Sequence, residues 1–239
     1  MDIVSQNKNV DRPLRSTYKA LGVLMLYRYA LWETSEYMRR EEVLELQYIT
    51  PLENISSIFE HGILSHKLAN ELPHRSVAWN KMQDKRSRKS IPSGHMLHEY
   101  ANLYICARNP MLYKVRSDNN LCILGVSPRV LDLPGVVIAN SNAASEYVRF
   151  MPSPNGLELI DKDFVFAESW IHPDQIDTWK HKSAKCAEVL VPNYVNKRFL
   201  NSAYVSDIRS QEILLDQLRV MGQTLRIVVD EYLFFRRRR

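Results

Sequence analysis

A chain of 239 residues with 45% hydrophobic and 25% charged side chains has an ordinary globular composition, which excludes a disordered or fibrous protein. Its 32 Lys and Arg against 27 Asp and Glu leave a formal charge of +5, an excess too small to name a partner unless the charge is clustered. Three scattered cysteines, Cys106, Cys122 and Cys186, are too few for a disulfide framework and imply a reducing, cytoplasmic setting.

In chain order, the first apolar run is residues 20–32, ALGVLMLYRYALW, interrupted by Arg28. A membrane span needs about 20 apolar residues, so this run reads as a buried or partner-facing helix and not as an anchor. The polar stretch after it, Glu33 to Glu36, does not fit a signal-peptide cleavage site. Residues 1–42 are therefore set apart as an N-terminal helical extension, and 43–239 as one domain. Leu44, Leu46, Tyr48 and Thr50 alternate with polar or small residues up to Pro51 and predict a strand. Apolar residues at 52, 55, 58 and 59 predict a helix, closed by His61 and Gly62. Residues 75–89, RSVAWNKMQDKRSRK, carry six basic side chains against one acid, Asp84, and a helix is expected around 81–89. Short apolar runs at 103–107, 121–126, 136–139, 164–167, 189–191 and 203–205 predict buried strands. A late helix at 213–225 and a last strand at 227–229 complete the pattern. Strands outnumber helices and do not alternate regularly with them, so the class is α+β and not a doubly wound parallel sheet.

Neither G-x-G-x-x-G nor G-x-x-x-x-G-K-[ST] occurs, which disfavours Rossmann and P-loop chemistry, and no G-x-S-x-G elbow is present. His95 and His98 with Cys106 nearby do not reach the four tight ligands of a structural zinc, so no metal is expected. Three features remain. Lys81, Lys85 and Lys89 lie on a basic run that is either a solvated helix face or a phosphate-contacting one. Arg86 within it is a fixed cation able to hold a phosphate or a planar polar group through two donors. Glu188 stands at the mouth of the apolar run VLV, where a carboxylate needs either an ion-pair partner or a chemical task.

Several blocks together resemble the DarT family of DNA ADP-ribosyltransferase toxins. These are LQYIT at 46–50, HGIL at 61–64, QDKRSR at 83–88, LHEY at 97–100, LYICARNPMLY at 103–113 and AEVLV at 187–191. The block from His98 to Tyr113 is the most specific, and the resemblance does not extend to the first 40 residues. It implies a split, mainly antiparallel β core with packed helices and an NAD cleft. It implies transfer of ADP-ribose from NAD, as co-substrate, to a base in single-stranded DNA with release of nicotinamide. It also implies toxicity held in check by a co-encoded antitoxin, an ADP-ribosyl-base hydrolase of the macrodomain or a related class. Carried over residue by residue, Arg86 and Glu188 fall on the catalytic positions. Tyr48, Ile49 and Thr50 fall on the NAD-contacting His-x-Thr, with Tyr replacing His. Ser57 falls where the family has a glycine, and Ser65 falls on a further NAD contact. Of the two branches, thymine- and guanine-modifying, residues 142–150 and 166–188 look more like the guanine branch. Tyr147, Arg149 and Trp170 are then expected to contact DNA together with Lys81, Lys85 and Lys89. Two alternatives stand beside this one: the same chemistry on thymine, RNA or protein, and a non-catalytic nucleic-acid-binding module using residues 81–89 and the terminal arginines 236–239.

Overall fold

The computed structural model describes residues 37–236. β1 (Leu46–Pro51) is buried along almost all of its length, and Pro51 leads into a short 3-10 turn and α1 (Ile55–His61). α1 buries Ile55, Ile58 and Phe59 and ends where Gly62 takes φ 85°, its N–H returning to the Ile58 carbonyl. β2 (Ile63–Leu64), α2 (His66–Ala69) and α3 (Asn80–Arg86) follow. Next come β3 (Tyr100–Tyr104) and α4 (Pro110–Val115). α4 starts where the Asn109 side chain accepts from two backbone amides and Pro110 presets the first turn. β4 (Leu121–Val126), β5 (Val137–Ala139), β6 (Phe150–Pro152), α5 (Lys162–Phe166) and α6 (Gln175–Ala184) lead to β7 (Glu188–Pro192). β8 (Tyr194–Val195), β9 (Leu200–Val205), α7 (Ile208–Val220) and β10 (Arg226–Val229) complete the described chain.

Among the described residues, eight strands form one sheet in the order β10-β9-β4-β1-β3-β7-β5-β6, and β2 pairs with β8 separately. All pairings are antiparallel except β10 with β9. β1 and β4 pair over their full length, whereas β1 and β3 share the single register pair Gln47 and Tyr104. The sheet therefore parts between β1 and β3 into two halves, the split core of an α+β fold. Gln47 stays at the junction because its Oε1 accepts from the Ala107 N–H at 2.6 Å. One core cluster, including Leu46, Ile55, Leu103, Leu124, Val189 and Leu214, is shared by both halves. A second gathers Ile49, Tyr104, Leu112, Ile123, Cys186 and Phe234.

Several expectations need correction. Residues 164–167 are not a strand: Phe164 to Phe166 are helical, the Asp161 side chain accepts from the Phe164 N–H and starts α5, and Phe164 is exposed. The late helix starts at Ile208, because Asp207 caps it through the Ser210 N–H, and it stops at Val220 ahead of Gly222, whose φ is 61°. Leu44 is exposed and outside the first strand. Residues 37–42, placed with the extension on sequence, pack with the domain: Met38 is buried in the main cluster, Arg40 pairs with Asp132 at 2.8 Å, and Glu42 pairs with the buried Lys162 at 3.2 Å. The apolar run 20–32 lies outside the described residues, as do the last three arginines.

Gly62 combines φ 85° and ψ −179° with a position where an added Cβ would press into the Val195 carbonyl. That backbone region is essentially reserved for glycine. Gly62→Ala is expected to lower the urea-unfolding free energy by about 2 kcal/mol, and a change within roughly 0.5 kcal/mol would contradict the assignment.

Candidate active site

Glu188 opens β7, the strand that lies between β3 and β5, and faces Tyr104 on one side and Ala139 on the other. Only 1% of it is exposed. A carboxylate so buried must be both neutralised and hydrogen-bonded. Arg86, the last residue of α3, supplies the charge: its Nη1 donates to Oε1 at 3.1 Å and Oε2 at 2.9 Å. The Ala143 N–H donates to Oε1 at 3.0 Å. Arg86 is itself 8% exposed, and among the described residues its Nε and Nη2 make no hydrogen bond. The site thus holds a fixed carboxylate next to unused cationic donors. Burial, with the Glu188 charge adding to it, holds the Tyr104 phenol well above its usual range, so it stays a neutral hydroxyl.

The remaining expected NAD contacts lie on β1, α1 and the start of α2. Tyr48 packs against the main cluster, and burial pushes its phenol up to about 12. Ile49 belongs to the second cluster. Thr50 is buried, and its Oγ1 accepts from Asn54 Nδ2 at 3.3 Å. Ser57 is half-buried on α1. The Ser65 hydroxyl caps α2, accepting from the Leu68 N–H at 3.4 Å. Among the described residues no hydrogen bond joins any of these five to the Arg86–Glu188 pair.

Of the residues expected on the DNA side, Lys81 and Lys85 are exposed on α3. Lys89 lies beyond the helix, half-buried, with its ammonium donating to the Ser145 carbonyl. Burial holds that ammonium below its ordinary range. Tyr147 is 91% exposed, and Arg149 is exposed next to it, on the loop whose Ala143 amide grips Glu188. Trp170 is a correction: it is buried, edge-on to Tyr113 and Phe235, so its ring is used inside the protein and not as a stacking face. Arg236, offered to phosphate in the binding-module alternative, is bonded to Asp207 and Asn119.

Sequence reasoning missed the Ala143 amide, which carries no residue-type signal. It also missed the paired imidazoles of His66 and His98, 4.2 Å between centroids and tilted by 45°, with His98 Nε2 3.0 Å from Gln83 Oε1 on α3. Burial holds both imidazoles below the usual histidine range; His74 adds to the effect at His66, His66 adds to it at His98, and the Arg86 charge adds at both. His95 contacts Glu99 instead. Among the described residues no three His, Cys, Asp or Glu side chains gather as a metal site, and no helix is long and apolar enough to cross a membrane.

A mainly antiparallel sheet split between β1 and β3, with a buried carboxylate opening β7 one strand in from the split, is the arrangement of an ADP-ribosyltransferase fold. A structure of Thermus sp. 2.9 DarT in complex with ADP-ribosylated single-stranded DNA superposes with a TM-score of 0.72 at 23% identity, covering 83% of this chain and 98% of that one. The family model described as ssDNA thymidine ADP-ribosyltransferase, DarT, matches residues 47–235, and the chain belongs to that family. A DNA ADP-ribosyl transferase–DNA ADP-ribosyl glycohydrolase fusion protein of Thermosipho africanus is 32% identical over an alignment of 172 residues that covers 68% of this chain and 42% of the fusion. A DNA ADP-ribosyl transferase of Thermus sp. is 27% identical over 63% of this chain and 75% of its own length. The chain thus spans less than half of the fusion protein and three quarters of the Thermus enzyme.

Removing one member of a buried ion pair strands the other charge. Glu188→Ala is expected to cost about 3 kcal/mol or more in urea unfolding, and the double variant Arg86→Met/Glu188→Leu should recover most of it. A loss in the double variant equal to the sum of the losses in the two single variants would show that the two side chains are not coupled.

Proposed function

We propose that this protein transfers ADP-ribose from NAD to a base in single-stranded DNA, with Arg86 and Glu188 as its catalytic residues. The observation that carries the proposal is the buried contact between these two side chains, 102 residues apart in sequence, at the split of the sheet. The donor set fits a dinucleotide: a cationic fork with two unused donors, a buried carboxylate and a cleft edge lined by β1. NAD supplies an activated ribose whose bond to nicotinamide is ready to break. As it breaks, positive charge develops on the ribose, and Glu188, held by the Ala143 amide, accepts from the ribose 2′-hydroxyl and stabilises that charge. The pair of electrons in the broken bond leaves with neutral nicotinamide. The base gives its lone pair to the ribose C1 atom, and the proton displaced from the base passes to water. Arg86 grips the diphosphate or polarises the base, since a guanidinium stays protonated at neutral pH. Tyr48, Thr50, Ser57 and Ser65 are assigned to the NAD side. Lys81, Lys85, Lys89, Tyr147 and Arg149 are assigned to the DNA side, where an unstacked single strand costs least to engage.

Guanine is the base we favour. Arg149 and Tyr147 stand exposed on the loop that holds Glu188, and an arginine fork suits the O6/N7 acceptor pair of guanine. Thymine is the second reading, supported by the thymidine named in the family's description. Oligonucleotides carrying one guanine, or one thymine, in an otherwise inert sequence decide between them by a mass increase of one ADP-ribose. Label on the guanine strand alone is expected, label on the thymine strand alone assigns the other branch, and label on neither overturns DNA transfer altogether. With the reactive strand, Glu188→Gln is expected to slow transfer by roughly two to three powers of ten. Retention of more than about a tenth of the rate would remove Glu188 from the catalytic role.

The Thermosipho relative carries a DNA ADP-ribosyl glycohydrolase in the same chain. We infer for this protein a toxin role checked by a co-encoded antitoxin that hydrolyses the ADP-ribosyl-base bond. Expression in a bacterium should arrest growth, Glu188→Gln should abolish the arrest, and growth unimpaired by the wild-type protein would contradict the toxin role.

A further inference from the structure

Arg86 is the last residue of α3, a helix of seven residues whose start, Trp79, offers no side-chain cap. Gln83 lies one turn earlier and neighbours Arg86 on the helix surface. Its Oε1 is 3.0 Å from His98 Nε2, and because an amide oxygen only accepts, His98 carries its proton on Nε2 and donates. His98 stands in the 3-10 turn Leu97–Glu99, which runs straight into β3. That turn is a firm base. Leu97 is fully buried in a third cluster with Ala143 and with Leu190 of β7. The Leu97 N–H donates to the Lys89 carbonyl at 2.9 Å, and the Asn193 N–H donates to the Glu99 carbonyl at 2.8 Å.

The His98 ring also packs on His66, the first residue of α2. His66 Nε2 is 3.1 Å from Asn70 Nδ2, an amide nitrogen that only donates, so His66 accepts there and is neutral. Lys67 of α2 pairs with Glu99 at 3.2 Å, which joins α2 to the same turn a second time. His98 is thus held from the sheet and from α2, and its Nε2 proton goes to α3. Arg86 itself meets Glu188 through Nη1 alone. In the transfer proposed above, Glu188 turns to the ribose 2′-hydroxyl and the remaining donors of Arg86 turn to the ligand. The ion pair is then shared with substrate and no longer fixes α3 by itself, whereas the bond from His98 to Gln83 involves no substrate and persists.

We propose that His98 is a positioning residue for Arg86: by donating to Gln83 it ties α3 to the turn before β3, so that the guanidinium keeps its place when substrate engages Glu188. The inference rests on the transfer reaction proposed above, and it gives His98 a role exercised through α3 with no contact to substrate.

His98→Leu and His98→Gln test it; the second keeps an N–H donor at the end of a side chain of similar reach. With the reactive oligonucleotide, kcat/KM should fall roughly tenfold in His98→Leu, which leaves Gln83 without its partner, and stay within about threefold of wild type in His98→Gln. In a Gln83→Leu background, where the tie is already lost, His98→Leu should cost no more than about twofold. Amide hydrogen exchange should quicken across residues 82–86 in His98→Leu and return toward wild type in His98→Gln, while β7 stays protected in both. Equal losses in the Leu and Gln variants, a second loss of the same size on Gln83→Leu, or unchanged exchange across α3 would overturn the positioning role. Quickened exchange at β7 as well would mark a general loss of stability and overturn it too. A wild-type protein that labels no oligonucleotide would instead overturn the proposed reaction, and the exchange measurement would still read the tie between His98 and α3.

Discussion

A carboxylate with 1% exposure is tolerated only where other groups make good its lost hydration, and the architecture around Glu188 follows from that constraint. The Arg86 guanidinium and the Ala143 amide meet the carboxylate from α3 and from the loop after β5. Three chain segments are tied to one point, and α3 is drawn over the sheet with its basic face outward. Hydrophobic residues of similar size often fill such a volume without loss of stability, so the pair by itself adds little to stability, in keeping with the catalytic role proposed for it.

The parting of the sheet lies beside that pair. β1 pairs fully with β4 and touches β3 at Gln47 alone, so the edges of the two halves diverge directly beside Tyr104 and Glu188. Stability is supplied on either side: the main cluster spans both halves, and the second cluster packs Phe234 of the C-terminal segment together with Tyr104 and Cys186.

What could be read from the sequence followed element length and residue type. Most of the strands are bounded apolar runs and were legible as such, whereas residues 164–167 form a run too short for periodicity to tell a strand from a helical turn, and the Asp161 cap decides it. β2, β6 and β8 span two or three residues and leave no pattern to find. Arg86 and Glu188 stood out as residue types in unusual settings, yet their contact is long-range and becomes visible only once β7 lies beside β3. Trp170 was misassigned because a tryptophan near a basic tract has the composition of a stacking residue, and only burial against Tyr113 and Phe235 separates the two roles. His98 sat within the most specific block of the chain, but its partner Gln83 lies 15 residues away on another element, beyond any local signal.

The central claim, that the Arg86–Glu188 pair is where NAD is cleaved, is tested most directly by a crystal structure with a non-cleavable NAD analogue. The nicotinamide-side ribose should lie at the split between β1 and β3, with its 2′-hydroxyl donating to Glu188 and at least one donor of Arg86 on the ligand. An analogue bound elsewhere, with the pair untouched by it, would contradict the claim.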